Sequence, residues 1–173
     1  MQDLLSEIRS ILVGTPARWS SLAQTIPAEL FFRQPAHEEW SAFECLQHIL
    51  DTEYSYQLRL QAFLDGRDFP AFNPGDEDAN SRAAQTPMTL VAEFVQLRQQ
   101  SLKSLEKVTP ADFDRPARHP KLGPVKLEQM LNAWAAHDLN HTVQAEEALM
   151  QPFIQGSGPW QVFFTNHLVG VEK

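Results

Sequence analysis

The sequence predicts an all-α protein, a four-helix bundle, from three observations. Proline is absent from 36 to 69, from 88 to 109 and from 125 to 151, and because an interior proline removes a helical hydrogen bond and clashes with the preceding turn, each window has room for a long helix. Within these windows, and at the amino terminus, apolar residues recur at the three- and four-residue spacing that lines one helix face. The intervening segments are rich in the residues of turns. Four amphipathic helices joined in this way bury their apolar faces against one another. The chain of 173 residues suits a single domain over 1–173.

The first helix begins with Leu4, Leu5, Ile8, Ile11 and Leu12, is interrupted by Gly14-Thr15-Pro16, and resumes with Trp19, Leu22, Ala23 and Ile26. Thr15 followed by Pro16 is a cap and first-turn pair, so a helix broken or kinked at Gly14 is expected. Residues 27–40, with Pro27 and Pro35, predict a connector holding one short helical turn. Ser41 then caps the second helix, with Glu44 completing a capping box. Along it Ala42, Leu46, Ile49, Leu60 and Leu64 share one arc, flanked by Cys45, Tyr56 and Phe63. His48 lies on the shoulder of that arc, where Glu44, Cys45, Asp51, Thr52 and Ser55 would form a small polar pocket.

Residues 65–87 are too long for a plain turn and are expected to form a binding loop that partly covers the site. Their Asp76-Glu77-Asp78 lacks the alternating spacing and closing glutamate of a calcium loop. The third helix is expected over 88–108, with Leu90, Val91, Phe94, Leu97, Leu102, Leu105 and Val108 inward. The proline-rich stretch 109–125 must cross between helix ends. The fourth helix begins at Leu127, and its apolar face of Leu127, Met130, Leu131, Trp134, Ala145 and Ala148 also contains His137, Asp138 and His141. The tail from Pro152 is expected to add a short helix packed over one end of the bundle.

Acidic side chains outnumber basic ones by 22 to 14, a formal charge of -8, so the average surface potential opposes nucleic acid and anionic membranes. No run of about 20 apolar residues exists to span a bilayer. Met1 to Val13 mixes Asp3, Glu7 and Arg9 into its apolar residues and lacks the pattern of a secretion signal. The single cysteine, Cys45, excludes an intramolecular disulfide and fits a cytoplasmic location. A homodimer through an exposed apolar helix face is compatible with this pattern.

The chemistry is concentrated in His137 and His141, whose four-residue spacing projects both imidazoles from one helix face, as sharing a metal ion requires. A helix supplies only that pair, and His48 on another helix is the candidate third ligand. Histidine pairs at this spacing also arise as hydrogen-bonded core residues. No glutamate follows the first histidine as it does in zinc proteases, so the pair alone is not diagnostic.

Two segments carry a resemblance: "EEWSAFECLQHILDTE" around His48 and "DRPARHPKLGPVKLEQMLNAWAAHDLNHTVQAEEAL" around the pair. Both are similar to the DinB/YfiT-like superfamily, and the likeness covers roughly 1–150. It implies a four-helix bundle whose metal is held by three histidines, one on the second helix and two on the fourth, which match His48, His137 and His141. It further implies a divalent ion, zinc or nickel foremost with iron, manganese and copper also compatible. That ion would activate a water or a low-molecular-weight thiol cosubstrate, as in a hydrolase or a thiol-dependent transferase acting on a small-molecule substrate. No cluster of Arg or Lys beside the histidines announces an acidic thiol. The rival expectation is a non-catalytic bundle with a structural or vestigial metal site that binds a small molecule or a protein.

Glu44, Asp51 and Asp138 are candidates to orient the ligands, because a metal-bound imidazole usually donates its other N–H to a carboxylate or carbonyl. Glu44 also fits the capping box, and Asp138 also fits a pair with a basic residue on another helix. Cys45, Thr52, Trp134 and His119 are candidates to line the pocket, although Cys45 and Trp134 fit core packing better. His37 and His167 are expected on the surface or in loops.

Overall fold

Leu5, Ile8, Leu12 and Trp19 form the buried face of helix α1 (Leu4–Thr25), the first element of a computed structural model that describes residues 4–69 and 85–170. This helix runs through Gly14 and Pro16 without the expected break. Pro16 has no N–H to offer the Leu12 carbonyl, and that carbonyl instead accepts from Arg98 Nη1 at 2.9 Å, so the lost bond is replaced. Thr15 is buried and caps nothing; its hydroxyl donates back to the Ile11 carbonyl at 2.9 Å.

The connector holds the expected short turn, α2 (Ala28–Phe31). Helix α3 (Ala42–Asp65) opens on the expected capping box: Glu44 N–H donates to Ser41 Oγ at 3.2 Å and Ser41 N–H to Glu44 Oε2 at 2.7 Å. It stops at Gly66, whose φ of 67° is the left-handed conformation that favours glycine. Helix α4 (Pro87–Leu105) starts at a Thr86 cap with Pro87 in its first turn and ends three residues before the expected position, although Val108 is still buried.

The segment between α4 and the last helix contains a hairpin that the all-α reading did not foresee. Strands β1 (Pro116–His119) and β2 (Gly123–Lys126) pair antiparallel with Arg118 opposite Pro124. Prolines hid it, yet in a two-stranded ribbon each strand keeps one open edge where a missing N–H costs nothing. Helix α5 (Leu127–Gly156) then continues through Pro152 for a further turn. The tail adds 3-10 turns at Gly158–Phe163 and Thr165–His167. It is pinned to α5 by Gln151, whose Nε2 donates to the His167 carbonyl at 2.8 Å and whose Oε1 accepts from Val169 N–H at 3.2 Å.

Helices α1 and α3 each pack against both α4 and α5, which places α1 opposite α3 and α4 opposite α5. The diagonal steps, α1 to α3 and α4 to α5, are spanned by the connectors that hold α2 and the hairpin. Two apolar clusters fill the interior. One gathers Leu5, Ile8, Leu12, Tyr56, Phe63, Leu127, Leu131 and Trp134; the other gathers Trp19, Phe31, Leu46, Ile49, Leu90, Phe94, Ala145 and Leu149. Among the described residues no helix is long and apolar enough to cross a membrane.

Between the clusters lies a buried polar layer centred on Arg98. Its Nε and Nη2 donate to Glu53 at 2.9 and 2.7 Å, and its Nη1 and Nη2 donate to Asp138 at 2.6 and 3.1 Å. Glu53 also accepts from Ser101 Oγ at 2.6 Å and from Trp134 Nε1 at 3.1 Å. With the Leu12 carbonyl, one guanidinium thus joins all four long helices. Burial would by itself lower the Arg98 pKa, but the Asp138 and Glu53 carboxylates outweigh it and hold the group above the ordinary arginine value. Arg98→Met strands both carboxylates in the interior and should destabilise the fold by about 3–5 kcal/mol in urea unfolding. Removing the exposed Arg18–Glu146 pair should cost under about 1 kcal/mol.

Candidate metal centre

His48 on α3 and His137 and His141 on α5 converge beside the polar layer. Each offers a ring nitrogen, and the three nitrogens lie within 4.8 Å of one another. The Nε2 atoms of His48 and His137 are 3.1 Å apart. Two imidazole nitrogens bound to one ion, each at roughly 2 Å, must themselves lie about 3 Å apart, so the observed spacing fits a shared divalent cation.

The ring states fit as well. Burial pushes the pKa of His48 down to about 4 and that of His137 to about 3, and neighbouring imidazoles add to both shifts. His141 is lowered too, again chiefly by burial. All three are therefore neutral at pH 7 and carry the lone pair that a metal requires. His141 Nδ1 donates to Gln144 Oε1 at 2.8 Å, which leaves Nε2 as the free lone pair. His137 Nδ1 is buried without a hydrogen-bond partner among the described residues. Its ring is oriented by packing, edge-on to Tyr56 with centroids 5.8 Å apart. Trp40 covers the cluster from outside, 5.0 Å from the His48 ring and 5.8 Å from that of His141.

The other expected site residues fall in varied places. Glu44 is engaged by its cap, taking Ser41 N–H and Oγ on one oxygen. Asp138 belongs to the Arg98 layer, with its carboxylate on the guanidinium. Asp51 is half-buried on α3, three residues beyond His48. Thr52 returns its hydroxyl to the His48 carbonyl at 2.8 Å. Cys45 is fully buried in the second apolar cluster, and burial raises its thiol pKa to about 12, so it packs as a small apolar group. Trp134 is core, stacked on Tyr56 at 4.9 Å. His119 sits on β1, where its Nδ1 accepts the backbone N–H groups of Lys121 and Leu122 at 3.1 and 3.2 Å. The expected covering loop lies mostly outside the described residues, in 70–84, as do Asp76, Glu77 and Asp78.

Several residues around the histidines were not anticipated. Gln144 is three residues after His141, a spacing at which a helix brings side chains together. Trp40 stands just before the cap of α3. Tyr56 and Arg59 continue the His48 side of α3 and help to line a cavity of about 250 Å3 with Phe69, His119, Met130 and Ala133. A second, more polar cavity of about 370 Å3 lies on the Trp40 side, bounded by Glu39, Gln144, Glu147 and the tail near Val169.

Fold and site together define a class: a four-helix bundle with a three-histidine cluster between its third and fifth helical segments. The chain belongs to the DinB superfamily, whose family model matches residues 11–145. Among solved structures it is similar to YfiT from Bacillus subtilis, with a TM-score of 0.75, 17% identity, and coverage of 88% of this chain and 89% of that one. At that identity the likeness shows the fold. YfiT is described as a probable metal-dependent hydrolase with an unusual four-helix bundle topology. No curated protein matches the chain.

The depressed histidines set a pH dependence for the metal-free protein. Their folded pKa values lie below the ordinary 6.5, so the unfolded chain binds more protons as the pH falls. The stability they permit is complete above pH 6.5 and is lost as the pH drops toward their folded values. Between pH 6.5 and about 5, above the carboxylate range, the urea midpoint of chelator-treated protein should fall. In His137→Ala that slope should be shallower.

Proposed function

We propose that the protein is a metal-dependent hydrolase of a small molecule, with His48, His137 and His141 as the ligands of a divalent cation. The observation that carries this reading is the convergence of three neutral imidazoles from two helices, with one pair of Nε2 atoms 3.1 Å apart. A cation held there would supply Lewis acidity and bring the pKa of water or a thiol toward neutrality. Three imidazoles suit zinc or nickel.

The chain's own residues prepare the site. Gln144 fixes the tautomer of His141, Tyr56 orients His137, and Trp40 limits solvent access from one side. Burial raises the Tyr56 phenol pKa to about 12, so at neutral pH it is a proton-bearing group in the wall of the cavity. Among the described residues no thiol or carboxylate joins the three nitrogens within the same distance. A three-ligand set favours catalysis over a closed structural shell, because catalytic sites keep a position for water or substrate. The description of YfiT favours hydrolysis over thiol transfer.

Elemental analysis of the purified protein should find close to one divalent metal per chain, and His137→Ala should fall to background while its far-ultraviolet circular dichroism stays helical. A full equivalent in that variant would contradict the assignment. In a screen of small esters, amides and lactones, the metal-loaded protein should show a hydrolytic activity that His137→Ala lowers by at least about 100-fold.

A further inference from the structure

Among the described residues, the cavity next to the histidines is lined by one charged side chain, Arg59. Its guanidinium lies 5.6 Å from the Tyr56 ring centroid and 5.8 Å from that of Phe69. Among the described residues it makes no ion pair, which contrasts with the doubly paired Arg98 one helix away. The rest of the described wall is apolar or neutral: Phe69, Leu122, Val125, Met130 and Ala133, with an amide from Gln129. His119 adds no charge, since its Nδ1 accepts two backbone N–H groups and burial, followed by Arg59 and Lys121, lowers its pKa.

A half-buried guanidinium without a carboxylate among the described residues, in a chain of net charge -8, pays for desolvation without the counter-ion that usually offsets it. Burial lowers its pKa from the ordinary arginine value, but the fork remains protonated. Held over the Tyr56 and Phe69 rings, it is in position to receive a planar anion in two parallel hydrogen bonds. The cavity is also next to the reacting centre. Ala133 is one turn before His137 on α5, and the same Tyr56 ring touches both the cavity and His137.

We infer that this cavity binds the carboxylate of a small, otherwise apolar substrate, with Arg59 as its anchor and the Phe69, Val125 and Met130 wall receiving the hydrocarbon part. One guanidinium matches a single negative charge, and the protein's overall negative charge disfavours a dianion. The inference rests on the proposed function only in naming the bound molecule a substrate; the recognition itself needs no metal.

The test uses chelator-treated full-length protein and two probes of nearly equal shape, phenylacetate and phenylacetamide, titrated by calorimetry and by amide chemical shifts. Phenylacetate should bind at least about tenfold more tightly than the amide, as expected for a charge-assisted pair. Its largest shifts should fall on Phe69, Met130 and Ala133. Arg59→Gln should erase the preference, and Arg59→Lys should keep part of it, since lysine retains the charge without the fork. Equal affinity for acid and amide, no saturable phenylacetate binding, shifts mapping elsewhere, or an undiminished preference in Arg59→Gln would each overturn the inference. The wild-type comparison and shift map decide the matter even if a variant fails to fold. Metal content is measured separately, so loss of the metal reading leaves this result standing.

Discussion

Arg98, with Glu53 and Asp138 both on its guanidinium, is the interaction on which the rest of the structure depends. Each of the three is almost wholly excluded from water, and the guanidinium also satisfies the Leu12 carbonyl that Pro16 leaves without a partner. A buried ion pair contributes less to net stability than its geometry suggests, because both charges are stripped of water. Its strength is in what it forbids. Sliding α3 or α5 by one turn would place a carboxylate among leucines and leave the guanidinium half unpaired, whereas an apolar seam could tolerate such a slip.

The histidine cluster inherits that register. His48 precedes Glu53 by five residues on α3, and His137 immediately precedes Asp138 on α5. Once Arg98 draws the two carboxylates to one level, the imidazoles are brought to one level as well, on the adjoining face of the same helices. Asp138 therefore serves the site with its carboxylate on Arg98, by fixing the height of the helix that carries two of the histidines. The apolar clusters above and below the layer hold the helices side by side. The polar layer sets their relative height.

Much of this was legible in the sequence because it is local. Proline-free windows and apolar periodicity located the long helices, the capping box at Ser41 and Glu44 fixed the start of α3, and the spacing of His137 and His141 announced a shared face. What was hidden depends on partners distant along the chain. Pro16 and Pro152 looked like helix breaks because the sequence does not show that Arg98 would replace one lost bond, or that α5 would run on past the other. The hairpin was obscured by prolines that a two-stranded ribbon tolerates. Asp138 lies one residue from a histidine in sequence, yet its carboxylate turns to the guanidinium on the opposite helix. Arg59 has no motif around it; its meaning comes from lacking a carboxylate among the described residues, which only the folded chain can show.

The measurement that bears most directly on this account is X-ray absorption spectroscopy at the metal edge of the metal-loaded protein. Three imidazole rings in the inner coordination sphere, with the remaining scatterers light atoms and no sulfur, is the predicted spectrum. A sphere with one or no imidazole, or with sulfur from Cys45, would contradict the claim that the Arg98 layer brings His48, His137 and His141 to a common point.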